Sequence, residues 1–164
     1  MKTSNRLIQL LLVALFFNMS TLFAQDTYYV TIHVETNNIT NQNKLEVCYF
    51  TSEAPNGDIT TSSGNIEDFN IEVNPEDRII WRGVSTTNPE TDIVNVRSIN
   101  HQGGQNVFGR NLLNGNGETP ELVIGIVDPG TRGRVEKYAI KITVYNAGSK
   151  RGNYRIDPKI TVKP

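Results

Sequence analysis

From residue 28 onward, apolar and polar residues alternate along most of the chain. The clearest example is residues 137–145, whose inner face would hold Tyr138, Ile140, Ile142 and Val144. Alternation with a period of two is typical of strands that bury one face in a core. The pattern predicts eight strands, at residues 28–35, 44–51, 69–73, 79–84, 92–99, 121–128, 137–145 and 154–162.

Turn-forming residues separate these segments, among them Asn56-Gly57, Asn74-Pro75 and Pro129-Gly130. Such pairs favour chain reversal because proline fixes φ and glycine tolerates positive φ. No window after residue 24 has helical periodicity. We therefore predict an all-β fold, an antiparallel Greek-key β-sandwich of seven or eight strands. Without an internal repeat or a linker, residues 25–164 are predicted to form a single β-sandwich domain.

Residues 1–24 have the features of a secretory signal peptide. Lys2 and Arg6 give a positively charged start, residues 7–17 are mostly apolar, and Ala24 precedes the expected cleavage site. The apolar stretch is shorter than the roughly 18 residues that cross a bilayer, so we expect cleavage rather than anchoring. The segment resembles signal peptides of Bacteroidetes bacteria. We expect an exported protein, periplasmic or extracellular, with no transmembrane segment in the mature chain.

The charge balance limits the classes of partner. Without Lys2 and Arg6, fourteen of the sixteen basic residues remain in residues 25–164, against seventeen acidic residues, a net charge near −3. This balance gives no reason to expect nucleic acid or an anionic membrane as partner. Cys48 is the single cysteine, so an intramolecular disulfide is impossible.

Two connections are longer than usual, residues 52–67 and residues 100–120. The second holds five glycines and five asparagines around Val107-Phe108, and such apolar residues favour a loop that folds back and packs. Long loops in compact domains often carry function. We therefore predict that residues 100–120 and neighbouring loops bind a protein or glycan partner. The ligand-binding candidates are His101, Asn106, Phe108, Arg110, Arg132 and Arg134.

Basic and aromatic side chains suggest what kind of partner this is. Basic residues gather near the C-terminus, and they would form a cationic rim if the loops 129–136 and 146–153 shared one end of the sandwich. They are Arg132, Arg134, Lys137, Lys150, Arg151 and Arg155. Such a rim could meet an acidic glycan. Solvated turn charges are the plainer interpretation of the same residues. The aromatic candidates for stacking on a sugar are Tyr29, Phe50, Phe108 and Tyr145.

Two segments carry a family resemblance. Residues 69–84, FNIEVNPEDRIIWRGV, resemble the early hairpin of cupredoxins, in which a tight turn leads into a strand with a core tryptophan. Residues 136–162 resemble the final hairpin of cupredoxin-like domains. The resemblance implies a cupredoxin-like sandwich, although immunoglobulin-like topology fits the same alternation. It also implies that residues 72–83 form a hairpin that delivers Trp81 to the core.

The copper ligands of that family are missing. A blue-copper centre uses two histidines and a cysteine, commonly with a methionine, and residues 145–156 contain none of these. Cys48 lies in the second predicted strand, outside the final loop. We therefore expect no cofactor. One alternative stays open, a metal-binding or redox relic that uses His33, Cys48 and His101.

Signals for catalysis are weak. The chain has no G-x-S-x-G motif, and none of its acidic residues stands out as a catalytic pair. The leading hypothesis is therefore an exported, non-catalytic binding or structural module rather than an enzyme. The metal or redox relic comes second, and a small secreted hydrolase is a distant third.

Overall fold

The computed structural model describes residues 25–164, and the predicted signal peptide, residues 1–24, lies outside the described residues. The strands are β1 Thr27–Val34, β2 Cys48–Glu53, β3 Ile59–Thr61, β4 Asn70–Val73, β5 Arg78–Ser85, β6 Ile93–Gly104, β7 Leu112–Asn114, β8 Val123–Ile126, β9 Val135–Asn146, β10 Ser149–Ile156 and β11 Lys159–Val162. A single turn of 3-10 helix, Ile66–Asp68, precedes β4. No helix among the described residues is long and apolar enough to cross a membrane.

The strands form two sheets. Sheet A has the order β3-β2-β1-β5-β8, and sheet B has the order β4-β11-β9-β6-β7, with β10 paired to the second half of β9. This arrangement confirms the predicted all-β sandwich. Two pairs, β1 with β5 and β4 with β11, are parallel, so the prediction of wholly antiparallel strands is wrong for them.

The inner faces of the two sheets enclose one apolar core. Trp81 lies at its centre with none of its surface exposed, as predicted from residues 69–84. Its ring meets Phe108 and Tyr138 edge-on, with centroids 5.4 and 5.7 Å away. The indole Nε1 donates a hydrogen bond of 3.2 Å to the Tyr138 hydroxyl. Burial raises the pKa of Tyr138, so this phenol stays protonated at neutral pH.

The segment around Asn74-Pro75 is a crossing between sheets. β4 belongs to sheet B and β5 to sheet A, so the hairpin expected for residues 72–83 is wrong. The side chain of Asp77 accepts a 2.6 Å hydrogen bond from the backbone N–H of Asn74, which closes the turn. Glu76 adopts a φ of 71° there. A tight turn reverses the chain, but it does not require the two flanking strands to pair with each other. Here the turn crosses from one sheet to the other, so β4 and β5 pair with different strands.

Other differences from the predicted strands have local causes. β2 begins at Cys48 because residues 41–46 form turns, which the hydrogen bonds between Thr40 and Asn43 hold in place. The predicted strand 154–162 is split into β10 and β11 at Asp157-Pro158. Proline lacks an N–H group for the sheet, which explains the interruption.

Candidate functional site

Residues 100–120 are largely ordered by pairing. β6 continues to Gly104 and β7 pairs back onto it, so the connection between them is residues 105–111. The connection folds back as expected, with Val107 fully buried. The Val107 N–H donates to the carboxylate of Glu136 at 2.6 Å, and the Val107 carbonyl accepts from the N–H of Asp128 at 2.8 Å. The segment is therefore anchored on both sides.

Phe108 and Asn106 have mainly structural contacts in this connection. Phe108 is 6% exposed and packs against Trp81, so little of its ring is left to stack on a sugar. The side chain of Asn106 accepts from the N–H of Phe108 at 3.2 Å and donates to Asn111 at 2.9 Å. Arg110 is exposed beside a shallow groove of about 440 Å³ that reaches Ile126.

His101 lies beside a buried carboxylate. Its Nδ1 atom is 3.1 Å from Oε1 of Glu136, which is 1% exposed. The two atoms are within ion-pair distance, although Nδ1 has no partner in hydrogen-bond geometry. Burial raises the pKa of Glu136, and the Val107 N–H and His101 partly oppose that shift. The His101 side chain is therefore directed toward the buried Glu136 and is mostly shielded from solvent.

The two basic loops lie far apart. Arg132 and Arg134 precede β9, whereas the turn at residues 147–148 follows its other end and leads into β10. Twelve residues of strand span about 40 Å, so the loops cannot form one cationic rim, and that hypothesis is wrong. Arg132 and Arg134 are both exposed, and the guanidinium of Arg132 donates to the carbonyl of Pro164 at 3.4 Å.

His33, Cys48 and His101 are not brought together. His33 is on the outer face of sheet A, where its ring stacks on Tyr49 at 4.4 Å and its Nε2 is 2.9 Å from the Thr51 hydroxyl. Cys48 points into the core, and burial raises the pKa of its thiol to about 12. His101 belongs to sheet B. Within residues 25–164 no group of three His, Cys, Asp or Glu side chains could hold a metal ion, so the three-residue metal site is wrong.

The other aromatic candidates differ in exposure. Phe50 is fully buried and stacks on Phe69 at 5.2 Å. Tyr29 is on the outer face of sheet A, where the guanidinium of Arg82 covers its ring at 4.9 Å. Tyr145 is half-buried on the outer face of sheet B, beside a shallow depression. Of the four aromatic candidates, Tyr145 lies in a depression with three basic side chains.

This depression, with a volume of about 450 Å³, gathers three cations from three strands. Lys141 comes from β9, Lys150 from β10 and Arg97 from β6, and Lys150 is the direct cross-strand neighbour of Tyr145. Thr143 and Asn153 also line the depression, and the Thr143 hydroxyl donates a 2.8 Å hydrogen bond to the Asn153 side chain. We call this surface the basic face; it consists of Arg97, Lys141, Thr143, Tyr145, Lys150 and Asn153.

Two of the cations on the basic face have no acidic partner. Arg97 forms an ion pair with Glu121, but the five ion pairs within residues 25–164 include neither Lys141 nor Lys150. Both lysines are exposed. The face therefore has uncompensated positive charge beside an aromatic ring. Sequence alternation places Lys141 and Tyr145 on one side of β9. A bulge at Arg97 interrupts the alternation in β6, so the sequence did not predict that Arg97 joins this face.

The structure thus defines an all-β, two-sheet sandwich with a basic outer face. It is similar to the crystal structure of an inclusion body protein, PixA, from Burkholderia cenocepacia, with a TM-score of 0.63 and 14% sequence identity. The match covers 88% of this chain and 99% of that one. At this identity the likeness shows the fold alone. No protein-family model and no curated protein matches the chain, and the resemblance of residues 69–84 and 136–162 to cupredoxins stays a prediction.

Proposed function

We propose that the chain is an exported, non-catalytic binding module that holds an acidic glycan on the basic face of sheet B. The sandwich serves as a scaffold, which we regard as cupredoxin-like without the copper ligands. The observation that carries the proposal is the placement of Lys141 and Lys150, both without an acidic partner, around Tyr145.

The chemistry of the face suits an anionic polysaccharide. The flat ring of Tyr145 offers an apolar surface to a sugar ring, and its hydroxyl remains available for hydrogen bonding. Lysine ammonium groups attract carboxylate or sulfate groups without requiring one fixed geometry. The amide of Asn153 can donate to sugar hydroxyls, although its oxygen already accepts from Thr143. An open, shallow face also leaves room for a polymer to enter and leave at both ends.

Binding of polygalacturonate, with neutral dextran as the comparison, tests this proposal. For Lys141→Gln/Lys150→Gln we expect about tenfold weaker binding, equivalent to ~1.4 kcal/mol. Tyr145→Ala should weaken binding further, and added salt should weaken binding of the wild type. The matched control is Lys44→Gln/Lys163→Gln, which removes the same charge elsewhere. Equal losses in both double variants, or equal affinity for dextran, would contradict the proposal.

A structural role is the second candidate function, and it has its own supporting observation. Sheet A exposes several large apolar side chains on its outer face: Tyr49, Ile59, Ile124 and Ile126. These side chains are spread over the face rather than joined in one patch, and apolar groups exposed on a sheet face can pack against another surface. The structurally similar PixA is described as an inclusion body protein, and we consider packing between copies of this chain as the corresponding role.

Sedimentation velocity over a wide concentration range tests the structural role. Association through sheet A should be abolished by Tyr49→Lys/Ile126→Lys. It should persist in the control Leu45→Lys, because Leu45 is exposed in the turns before β2. A protein that stays monomeric at every concentration would argue against this second function and leave the first intact.

A further inference from the structure

A further concavity lies between the two sheets at one edge of the sandwich. It has a volume of about 620 Å³, between the β2–β3 hairpin of sheet A and β4 of sheet B. Small-molecule sites are typically clefts of roughly 300–1,000 Å³. We call it the edge cleft; its lining includes Asp26, Tyr28, Ser52, Asp58, Glu72 and Lys163.

The floor of the edge cleft is formed by two buried hydroxyl-bearing side chains. Tyr28 is 8% exposed and Ser52 is 7% exposed, and both line the cleft. The side-chain hydrogen bonds within residues 25–164 involve neither hydroxyl. Neither hydroxyl oxygen is among the buried polar atoms without a partner in the described residues, so both oxygens reach the solvent of the cleft. Each can therefore hydrogen-bond a polar ligand that enters it.

The rim of the edge cleft is acidic. Asp26, Asp58 and Glu72 come from three separate segments, whereas Lys163 is the single cation in the lining. None of these carboxylates takes part in an ion pair within residues 25–164. The Asp58 side chain is held in place by the amide of Asn56 at 2.7 Å. The rim therefore has an excess of negative charge that the fold itself does not neutralise.

The negative charge also reaches the floor. The pKa of Tyr28 is raised by burial and by the carboxylates of Asp77 and Asp26. A protonated phenol and the Ser52 hydroxyl can each accept a hydrogen bond from an ammonium group. No three acidic side chains within the described range are close enough to hold a metal ion, so the charge is spread around the cleft rather than focused on one point.

We propose that the edge cleft binds a small organic cation of the linear polyamine class. Ammonium groups separated by methylene segments match carboxylates that are spread along a rim. One ammonium group donates to the oxygens of Tyr28 and Ser52, while the others lie near Asp58 and Glu72. The methylene segments contact Ile71, which is buried beneath the same cleft. This site is separate from the basic face and takes ligands of the opposite charge.

Isothermal titration calorimetry of the full chain with spermidine at low salt tests this proposal. We expect saturable binding at one site and no binding of citrate. Asp58→Asn/Glu72→Gln should weaken spermidine binding at least about tenfold. Both residues are exposed, so folding should be unaffected, which circular dichroism verifies. Ser52→Ala should also weaken binding, by about threefold, through loss of one hydrogen-bond acceptor.

The matched control is Glu90→Gln/Glu118→Gln, which removes two exposed carboxylates that do not line the cleft. It should bind spermidine like the wild type. The proposal is overturned by unsaturable heats, by equal weakening in the control, or by unchanged binding in Ser52→Ala. Polygalacturonate binding should not change in Asp58→Asn/Glu72→Gln, so failure of this proposal and failure of the glycan proposal can be told apart.

Discussion

Replacing Trp81 with alanine should remove a large part of the stability of the sandwich. A buried tryptophan removes roughly 200 Å² from water, which at ~25 cal/mol per Å² corresponds to about 5 kcal/mol. Measured large-to-small changes of aromatic core residues fall near 3–5 kcal/mol. Trp81 should lie in this range because its ring contacts Phe108 and Tyr138 and none of it is exposed.

Urea unfolding followed by far-ultraviolet circular dichroism measures this loss. Fluorescence is unsuitable because Trp81 is the chain's only tryptophan. With a urea dependence near 2 kcal/mol per molar, the midpoint should fall by roughly 2 M. The control is Ile126→Ala on the exposed face of sheet A, which should change stability by less than about 0.5 kcal/mol. A midpoint shift under about 0.5 M for Trp81→Ala would refute the reasoning.

The hydrogen bond from Trp81 to Tyr138 can be separated from packing by a double-mutant cycle. Trp81→Phe removes the indole donor, Tyr138→Phe removes the acceptor, and the double variant removes both. Each single variant leaves one buried polar group without its hydrogen-bond partner, whereas the double variant leaves none. The two changes in unfolding free energy should therefore not add. We expect a coupling free energy of about 1 kcal/mol. Strict additivity would mean that the 3.2 Å contact contributes nothing to stability.

Three further predictions concern buried ionisable groups. Hydrogen bonds from Thr36 and from the Ala147 N–H lower the pKa of Asp92 to about 2. The stability that the Asp92 carboxylate adds to the fold is therefore full above about pH 4 and is lost as pH falls through 2. Asp92→Asn should therefore destabilise at pH 7 and converge with wild type in strong acid, as urea midpoints would show. The pKa of Glu136 is raised by burial, so the stability that this side chain adds to the fold is full below about pH 4 and is lost as pH rises through its folded pKa. Glu136→Gln should therefore reduce the loss of folding stability with rising pH. An unchanged dependence of the urea midpoint on pH would contradict this prediction. The thiol of Cys48, with a pKa of about 12, should react with a disulfide reagent only after unfolding in urea, whereas rapid labelling of the native protein at pH 8 would show that the site opens.

Sequence alternation predicted the core face of several strands, although not of β2, where Phe50 is buried and Tyr49 is exposed, and it could not predict which strands are neighbours. A period of two assigns Trp81 and Tyr138 to inner faces, and both are fully buried. The same pattern says nothing about the partner of a strand, because partners are chosen by packing between residues far apart in the chain. The parallel pairing of β1 with β5 and the separation of β4 from β5 are of this kind.

The sequence predicted part of the basic face and none of the edge cleft. Tyr145 and Lys150 were identifiable from aromatic and basic content, whereas Arg97 joins them only because a bulge shifts the register of β6. Nothing in the sequence marks the edge cleft. Tyr28 and Ser52 occupy inward positions on neighbouring strands, where alternation predicts core packing. The cleft is lined by β2 and β3 of sheet A and by β4 of sheet B, and bringing these strands to one edge depends on the whole fold.

The distribution of charge decides what each surface can bind, and the net charge does not. Fourteen basic and seventeen acidic residues in residues 25–164 gave no reason to expect nucleic acid or an anionic membrane as partner. Exposed charges more than about 8 Å apart are largely screened at physiological ionic strength, so a ligand responds to the charges beside it. On sheet B it meets Lys141 and Lys150, and at the edge cleft it meets Asp58 and Glu72. A nearly neutral sandwich can therefore present two binding surfaces of opposite sign, because different strands position each group of charges.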